Sequence, residues 1–300
     1  MDRRSFLGTL TAATVLSNRL GFAFTEHKID KVGVQLYTVR FPMKDDFDGS
    51  IAKVAAIGYK EAELAEFAQA PDGTVTYFGR SPQEMRAALD RHGLTSPSTH
   101  VKYSSLTPAN FPRVIEASKV IGNSYIVMPW IEEVDRKDPD IWKKASAVFN
   151  RAGEDCKKAG IQFAYHNHWF EFLPVNGKKP YDILLAETDP ALVKMELDLC
   201  WITVAGSDPF AYFNKYPGRF PLVHAKDTKA IPSMSAAGAQ NFGDTFTEMA
   251  DVGSGIIDWK KIFAQSEKAG IKHYFVEFDK PKSPFESIQH SYDYLDKLRF

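Results

Sequence analysis

Histidines and carboxylic acids stand at the ends of four β-rich segments in the second half of the sequence. The four residues are His166, Asp198, His224 and Glu277. Burying several ionisable groups together costs free energy unless a cation or a ligand compensates them. Imidazole and carboxylate ligands together suit Mn, Zn, Co or Fe. The pattern therefore predicts one divalent metal ion on these residues, with a polar cluster that binds no metal as the alternative.

Three groups at the predicted metal site are candidates for proton transfer. They are Glu277 itself, His168 and Lys226. A dication disfavours the ammonium form of a neighbouring lysine, so Lys226 could act as a base or hold an enediolate. The alternative is that Lys226 forms an ion pair with Asp227 or Glu196.

Aromatic and polar side chains at the same segment ends are candidates for binding a substrate. This set comprises Glu63, His100, Trp130, Glu171 and Trp201. Tryptophan rings present large apolar faces that can stack on the C–H faces of a sugar. The predicted partner is a small carbohydrate, and rings that only cap the core are the alternative.

Such a site needs a fold that brings the ends of distant segments together. Eight β-rich segments are each followed by a helical one, which predicts an α/β fold, a TIM barrel of eight parallel strands and eight helices. An open doubly wound sheet is the alternative, but no Gly-x-Gly-x-x-Gly turn follows any segment. The predicted strands are 32–37, 59–64, 94–101, 125–128, 161–166, 192–199, 220–225 and 271–277. The predicted helices are 46–57, 81–93, 111–121, 140–159, 181–187, 209–216, 258–269 and 284–298.

The composition is that of an ordinary globular domain. The chain has 300 residues, with 37 Lys and Arg against 38 Asp and Glu and a net charge of -1. Nucleic-acid binding normally requires a clear cationic excess, so we expect no nucleic-acid partner. Cys156 and Cys200 are too few for a disulfide framework or a cysteine-based zinc module. We expect residues 24–300 to form a single domain, and a homo-oligomer stays open.

The first 23 residues have the character of an export signal. Arg3 and Arg4 precede a short apolar run over residues 8–16 and a small-x-small site that ends at Ala23. The run is too short to span a membrane, and paired arginines are typical of twin-arginine signals. We expect removal of residues 1–23 to leave a periplasmic protein without a stable membrane anchor. A frayed N-terminal helix is the alternative.

A long segment, residues 228–257, follows the seventh predicted strand. It exceeds usual connections and is a candidate lid or partner contact. Gly253, Ser254 and Gly255 within it could offer backbone N–H groups to a phosphate. No glycine-rich phosphate turn follows the seventh or eighth predicted strand, so we expect an unphosphorylated sugar.

The sequence resembles the sugar phosphate isomerase/epimerase family of the xylose-isomerase-like TIM barrel superfamily. That superfamily also contains ketose 3-epimerases, inosose dehydratases and endonuclease IV-type enzymes. The resemblance extends over nearly all of residues 24–300. The segments that carry it are residues 33–37 (GVQLY), 61–64 (EAEL), 166–168 (HNH), 196–198 (ELD), 223–227 (VHAKD) and 276–277 (VE).

The resemblance implies a metal site in which this chain departs from the family pattern. In the ketose epimerases of the family, Glu, Asp, His and Glu on strands five to eight hold the metal, and the two glutamates also move the proton. The last three match Asp198, His224 and Glu277, but His166 replaces the first glutamate. One of the two proton-transfer glutamates is therefore missing, and His166 could either bind the metal or act as a base, with His168 or Glu171 as a substitute acid or base. Trp201 stands where those epimerases have a substrate-binding histidine.

The implied chemistry is removal of a proton next to a carbonyl, which gives an enediolate on a metal. We expect an isomerase or epimerase acting on an unphosphorylated keto sugar or oxidised glycoside. The alternatives are a lyase that dehydrates a 3-keto sugar or inosose, and a sugar-binding barrel without catalysis. The nuclease branch needs further metal ligands. Trp130 and Trp201 stand at two of those positions, and residues 228–257 contain no histidine.

Overall fold

The computed structural model describes residues 26–136, 138, 140–232 and 247–300. The predicted export signal, residues 1–23, lies outside the described residues, as do residues 233–246 of the candidate lid. Both therefore stay predictions. Among the helices of the described ranges, none has the length and apolar character needed to cross a membrane.

Eight parallel strands form the barrel. In chain order they are Val32–Gln35, Glu61–Glu63, Ser98–His100, Tyr125–Met128, Gln162–His166, Val193–Asp198, Leu222–Ala225 and His273–Val276. Each strand pairs with the next along the chain except the second with the third, and the eighth pairs with the first. Two parallel bridges, Glu61 to Thr95 and Leu64 to Thr99, join the second strand to the third. The predicted TIM barrel is confirmed, and the open doubly wound sheet is wrong.

Helices surround the strands, mostly where the periodicity predicts them. The longer ones are Phe47–Ile57, Pro82–Arg91, Phe111–Ile121, Ile141–Lys158, Pro180–Glu187, Pro209–Lys215 and Pro284–Lys297. The shorter ones are Arg40–Asp45, Glu133–Arg136, Leu199–Val204, Trp259–Phe263 and Ser266–Ala269, with 3-10 turns at Leu36–Val39, Tyr103–Leu106 and Phe170–Phe172. The predicted helix 258–269 is thus two short helices, because the backbone of Gln265 (φ -98°, ψ 6°) leaves the helical conformation between them.

Two antiparallel hairpins add to the predicted elements. Phe67–Gln69 pairs with Val75–Tyr77 directly after the second barrel strand. Asp227–Thr228 pairs with Met249–Ala250 at the two ends of the long segment. Strands of two or three residues are too short to show an alternating pattern, so the sequence carries little signal for them.

An apolar layer fills the barrel beneath the ionisable residues. Its members are Tyr125, Val127, Ala164, Leu222 and Phe275, all buried. Side chains two residues apart share a face of a strand, so Leu222 lies directly below His224 and Phe275 below Glu277. A Cβ atom on Gly33 would lie 2.6 Å from Cδ1 of Phe275, so a glycine permits the close approach of the first strand. This layer separates the ionisable groups from the amino-terminal end of the barrel.

The ends of the described chain meet at that amino-terminal face. The N–H of His27 donates to the carbonyl of Phe300 (2.8 Å), and the N–H of Phe300 donates to the carbonyl of His27 (3.0 Å). The ring of Phe300 also packs on Phe263, with centroids 5.8 Å apart. This pairing ties the segment before the first strand to the segment after the last helix.

Asp227 ties the return of the long segment to the end of the seventh strand. Its buried carboxylate accepts hydrogen bonds from the backbone N–H groups of Thr228, Gly253, Gly255 and Ile257 and from Nε1 of Trp259. The two glycine N–H groups therefore already have a carboxylate partner, at 3.0 Å and 3.2 Å, and are not free to bind a phosphate.

We predict that Asp227→Asn lowers the free energy of unfolding by roughly 2–4 kcal/mol, because an amide nitrogen cannot accept the hydrogen bonds of these buried donors. Urea denaturation measures the change. Asp72→Asn is the control, since Asp72 is exposed and caps one turn through the N–H of Thr74. We expect that control to change stability by about 0.5 kcal/mol or less. Equal effects of the two substitutions would contradict the anchoring role of Asp227.

Candidate active site

A cavity of about 710 Å³ opens at the carboxyl ends of the barrel strands. Such a position is where TIM-barrel enzymes place their active sites. One wall comes from the hairpin strand Phe67–Gln69, and another comes from aromatic residues that follow the fourth, fifth and sixth strands. The predicted site residues that line it are His100, Trp130, His166, His168, Trp201, Lys226 and Glu277.

The four predicted metal ligands converge at the inner end of this cavity, where His166 and Glu277 line it and Asp198 and His224 lie behind them. The Nε2 atom of His166 lies 3.1 Å from Nδ1 of His224 and 3.5 Å from Oδ2 of Asp198. Oε2 of Glu277 lies 2.9 Å from Nδ1 of His224. These four ligand atoms all lie within 4.8 Å of one another, and all four residues are buried. We call them the upper cluster.

The backbone around Asp198 fixes the direction of its carboxylate. Asp198 ends the sixth strand and is the N-cap of helix Leu199–Val204, so its Oδ1 accepts a hydrogen bond from the N–H of Trp201 (2.8 Å). The Asn167 side-chain oxygen accepts a hydrogen bond from the N–H of Asp198 (3.2 Å). A cap of this kind commits one carboxylate oxygen to the helix and leaves Oδ2 facing the cluster.

Lys226 reaches into the upper cluster from the seventh strand. Its Nζ lies 2.7 Å from Oε2 of Glu277, 3.1 Å from Oδ2 of Asp198 and 2.8 Å from Oδ1 of Asp279. Burial lowers the pKa of Lys226, but the carboxylates of Asp198, Asp279 and Glu277 outweigh it and hold the pKa well above its ordinary value. Lys226 is therefore an ammonium ion in this arrangement. Its ion-pair partners are these three residues rather than Asp227 or Glu196.

A second group of ionisable residues lies one layer deeper. It comprises Glu63, His100, Glu196 and His224, which we call the lower cluster. Nε2 of His224 lies 2.7 Å from Oε2 of Glu63, and Nε2 of His100 lies 2.8 Å from Oε2 of Glu196. His224 therefore belongs to both clusters, with Nδ1 facing the upper one and Nε2 facing the lower one. Glu63 does not line the cavity.

Burial and charge set opposite protonation states for the two histidines of the upper cluster. Burial lowers the pKa of His166 to about 4, and the neighbouring His224 adds to this effect. Burial also opposes the charged form of His224, but Glu196 and Glu277 outweigh it and hold the pKa of His224 well above its usual range. His166 is therefore neutral, as a metal ligand must be. The surrounding carboxylates demand positive charge at His224, which a proton or a bound cation can supply.

Glu171 lies behind the cavity wall and holds the backbone of His168, which lines the cavity. The carboxylate of Glu171 accepts hydrogen bonds from the His168 backbone N–H (2.8 Å) and from the Tyr165 hydroxyl. Glu171 is fully buried and does not line the cavity. It therefore acts on the site through its hydrogen bond with the backbone of His168. Desolvation raises the pKa of Glu171 to about 7. Burial, with His166 and Lys226 nearby, holds the pKa of His168 well below its ordinary value, so its imidazole is neutral.

Aromatic rings enclose His168 at the cavity mouth. The Trp130 ring lies edge-on to it, with centroids 4.6 Å apart, and Phe170 stacks on it at 5.6 Å. Arg136 lies over the Phe170 ring at 3.8 Å. Trp201 lies beneath Lys226, whose Nζ is 5.0 Å from the ring centroid. Both predicted tryptophans thus face the cavity, each beside a candidate proton-transfer group.

Two site residues lie outside the predicted set. Glu196 joins the lower cluster, and Asp279 holds the outer side of Lys226. A signal exists for both, since each lies two residues from a predicted ligand. Glu196 shares a face of the sixth strand with Asp198, and Asp279 follows Glu277 just beyond the eighth strand. Arg40 is a third addition: it is buried and donates to the carbonyls of Tyr37 and Asp279, both cavity residues.

Similar proteins are known for most of this chain. A family model described as xylose isomerase-like TIM barrel matches residues 51–298. A sugar phosphate isomerase/epimerase from Parabacteroides distasonis ATCC 8503 superposes with a TM-score of 0.70 at 27% identity, covering 90% of this chain and 94% of that one.

Curated relatives match over a shorter length. An inosose dehydratase from Lacticaseibacillus casei is 27% identical over 169 residues, which are 52% of this chain and 54% of that protein. An inosose dehydratase from Lactiplantibacillus plantarum is 30% identical over 161 residues, which are 51% and 53% of the two chains. The chain thus spans about half the length of the curated relatives it matches.

The raised pKa of Glu171 predicts a pH dependence of stability. A carboxyl with a pKa of about 7 in the folded chain and 4.5 otherwise binds its proton more tightly when folded. Its stabilising effect is therefore complete below about pH 4.5 and is lost as pH rises through 7, with a full amplitude of about 3 kcal/mol. We expect wild type to lose up to this amount relative to Glu171→Gln between pH 5 and pH 8, measured by urea denaturation. Parallel curves for the two proteins would show that the Glu171 carboxyl titrates normally.

Proposed function

We propose, since this chain belongs to the xylose isomerase-like TIM barrel family, that it is a metal-dependent enzyme acting on a keto sugar or keto cyclitol. The observation that carries the proposal is the convergence of the upper cluster at the inner end of the cavity. The names of the similar proteins, inosose dehydratase and sugar phosphate isomerase/epimerase, support a small carbohydrate as the substrate class.

The residues of the upper cluster fit a divalent cation. They offer two imidazole nitrogens and two carboxylate oxygens within 4.8 Å of one another, at buried positions. This donor set suits a first-row transition metal or zinc. When bound, the ion supplies Lewis-acid polarisation of the substrate carbonyl and stabilises an enediolate. Asp198 and Glu277 would hold it together with His166 and His224.

We assign removal of the proton next to the carbonyl to His168. Its ring lines the cavity and is neutral, so it can accept a proton. Because its pKa is held well below the ordinary value, it is a weak base and requires a C–H bond that a bound cation would have made more acidic. The aromatic rings around it and the hydrogen bond from its backbone to Glu171 hold it in place. Positioning of this kind matters because a general base must lie within hydrogen-bond reach of the proton that it removes.

Lys226 is the matching acid. Its ammonium faces the cavity between Glu277 and Asp279. After proton removal, the C–O bond one carbon further along the substrate breaks, and the departing hydroxide takes a proton from Lys226 and leaves as water. The product is an unsaturated ketone, so the reaction is a dehydration. His166 favours this outcome over epimerisation, because no second glutamate stands there to return a proton to the opposite face.

Isomerisation or epimerisation is the second candidate. The 27% identity to a sugar phosphate isomerase/epimerase over 90% of this chain favours it. Both outcomes share the enediolate and differ only in where the next proton goes. The engagement of the Gly253 and Gly255 N–H groups by Asp227 supports an unphosphorylated substrate in either case.

The shared first step predicts exchange of a carbon-bound hydrogen with solvent. In D₂O with Mn²⁺, Co²⁺ or Zn²⁺, we expect deuterium at the carbon next to the carbonyl of a keto sugar or keto-inositol. NMR detects the exchange, and mass spectrometry detects loss of water if dehydration follows. His290→Gln, at an exposed histidine, is the control and should behave as wild type. Absence of deuterium across a broad panel would instead indicate a sugar-binding barrel without catalysis.

The substitution Lys226→Met tests the role of Lys226 as a general acid separately from metal binding at the upper cluster. The ammonium and a dication compete for the same oxygens of Asp198 and Glu277, so we expect the variant to bind Mn²⁺ at least as tightly as wild type. We expect turnover to fall about 10²–10⁴-fold, the usual contribution of a general acid. Calorimetry and steady-state rates measure the two effects.

Lys194→Met is the matched control for this substitution. Lys194 lies on the sixth strand near the amino-terminal face and donates to the Gly218 carbonyl (3.1 Å). We expect it to leave both quantities unchanged. If the turnover of Lys226→Met stays within a few-fold of wild type, Lys226 is a structural ion-pair partner and not the general acid.

A further inference from the structure

The lower cluster has the shape of a metal site in its own right. Four atoms face one another: Oε2 of Glu63, Nε2 of His100, Oε2 of Glu196 and Nε2 of His224. The four nitrogen-to-oxygen distances around this set are 2.7, 2.8, 3.3 and 3.4 Å. Ligands on a tetrahedral zinc ion at usual bond lengths lie about 3.4 Å apart. The side chains thus need only small shifts to surround an ion.

The residues of the lower cluster are also almost completely buried. Glu63, Glu196 and His224 are fully buried, and His100 is 13% exposed where it meets the cavity. His100 therefore marks a route by which an ion could enter. Oε1 of Glu196 has no hydrogen-bond partner among the described residues. A buried carboxylate oxygen without a partner is costly. A cation bound at Oε2 would also lie close to Oε1 of the same carboxylate and compensate it.

Outer hydrogen bonds already orient Glu63. Nε2 of Gln35 donates to its Oε2 at 2.8 Å, and the Ser98 hydroxyl donates to its Oε1. Metal-binding carboxylates are typically fixed by such partners. Neither Gln35 nor Ser98 belongs to the upper cluster, so this support serves the lower cluster alone.

The charge balance of the interior points the same way. Lys226 pairs with Asp198 and Glu277, whereas the cationic partners of Glu63 and Glu196 are the imidazoles of His100 and His224. Imidazoles balance these two carboxylates only by carrying protons, whereas one dication balances both without any.

We propose that Glu63, His100, Glu196 and His224 bind a second divalent cation of the zinc class. Four protein ligands close its coordination sphere, which is typical of a structural site. His224 would serve both sites, because its Nδ1 faces Glu277 and Asp198 and its Nε2 faces Glu63 and Glu196. With both sites loaded, both ring nitrogens would be ligands, so the N–H protons of His224 would be released to solvent. The proposal concerns metal content and does not depend on which reaction the enzyme catalyses.

Metal counting tests it. The full chain is dialysed against Zn²⁺ and then against metal-free buffer, and zinc per chain is measured by mass spectrometry. We expect about two ions in wild type, and about one in both Glu196→Gln and Asp198→Asn. Glu61→Gln is the matched control: Glu61 is a buried carboxylate on the same strand as Glu63, paired with His273 (2.7 Å) outside both clusters. It should keep about two.

Cobalt locates the ion that each variant loses. Tetrahedral Co²⁺ absorbs visible light strongly, whereas Co²⁺ with five or six ligands absorbs weakly. The upper ion would add water or substrate oxygens from the cavity to its four protein ligands, so we expect the strong band in wild type and Asp198→Asn and its loss in Glu196→Gln. Circular dichroism reports whether a variant folds, and His100→Asn at the cavity rim replaces Glu196→Gln if the latter does not. One ion in wild type that Glu196→Gln leaves in place would overturn the lower site, while the proposed function stands. No ion in wild type would contradict both metal sites. The deuterium-exchange experiment would then test the proposed reaction independently of metal content.

Discussion

Charge buried inside the barrel is the constraint around which the rest of this site is arranged. Four buried carboxylates, those of Glu63, Glu196, Asp198 and Glu277, lie in two adjacent layers. Below them the barrel is filled by apolar side chains such as Leu222 and Phe275, which offer no polar partner. Isolated buried charges are too costly to persist, so every carboxylate must find a cation within a few ångströms. Imidazoles and one lysine meet that requirement, and the two proposed metal ions would meet it as well.

Carboxylates that accept hydrogen bonds from backbone N–H groups hold several segments of this chain in place. Asp198 caps the helix that follows it, Glu171 accepts the N–H of His168, and Asp227 collects donors from the returning segment. Asp198, Glu171 and Asp227 thus use the same interaction, a carboxylate that accepts backbone N–H groups, at three different places in the chain. In each case the carboxylate fixes the segment that carries those N–H groups.

Much of this site could be predicted because strand alternation fixes which side chains share a face. His166, Asp198, His224 and Glu277 follow from that rule alone, and the structure brings them together. Alternation does not tell how far below the cavity a side chain lies. The sequence therefore cannot distinguish Glu196 and Glu63, which lie deeper, from the residues that line the cavity. Nor does it give the direction of a side chain beyond the strand. Glu171 lies near His168 in sequence but turns toward its backbone, and the hairpin at Phe67–Gln69 is too short to leave a pattern.

The pairing of His27 with Phe300 has a practical consequence for engineering. The two hydrogen bonds place the ends of the described chain side by side on the face opposite the cavity. Ends that lie together on a surface are the usual condition for circular permutation, since a short linker can join them. New termini could then be opened at an exposed turn such as Asp72. The same geometry lets either end be tethered to a surface or a fusion partner with the cavity mouth facing away.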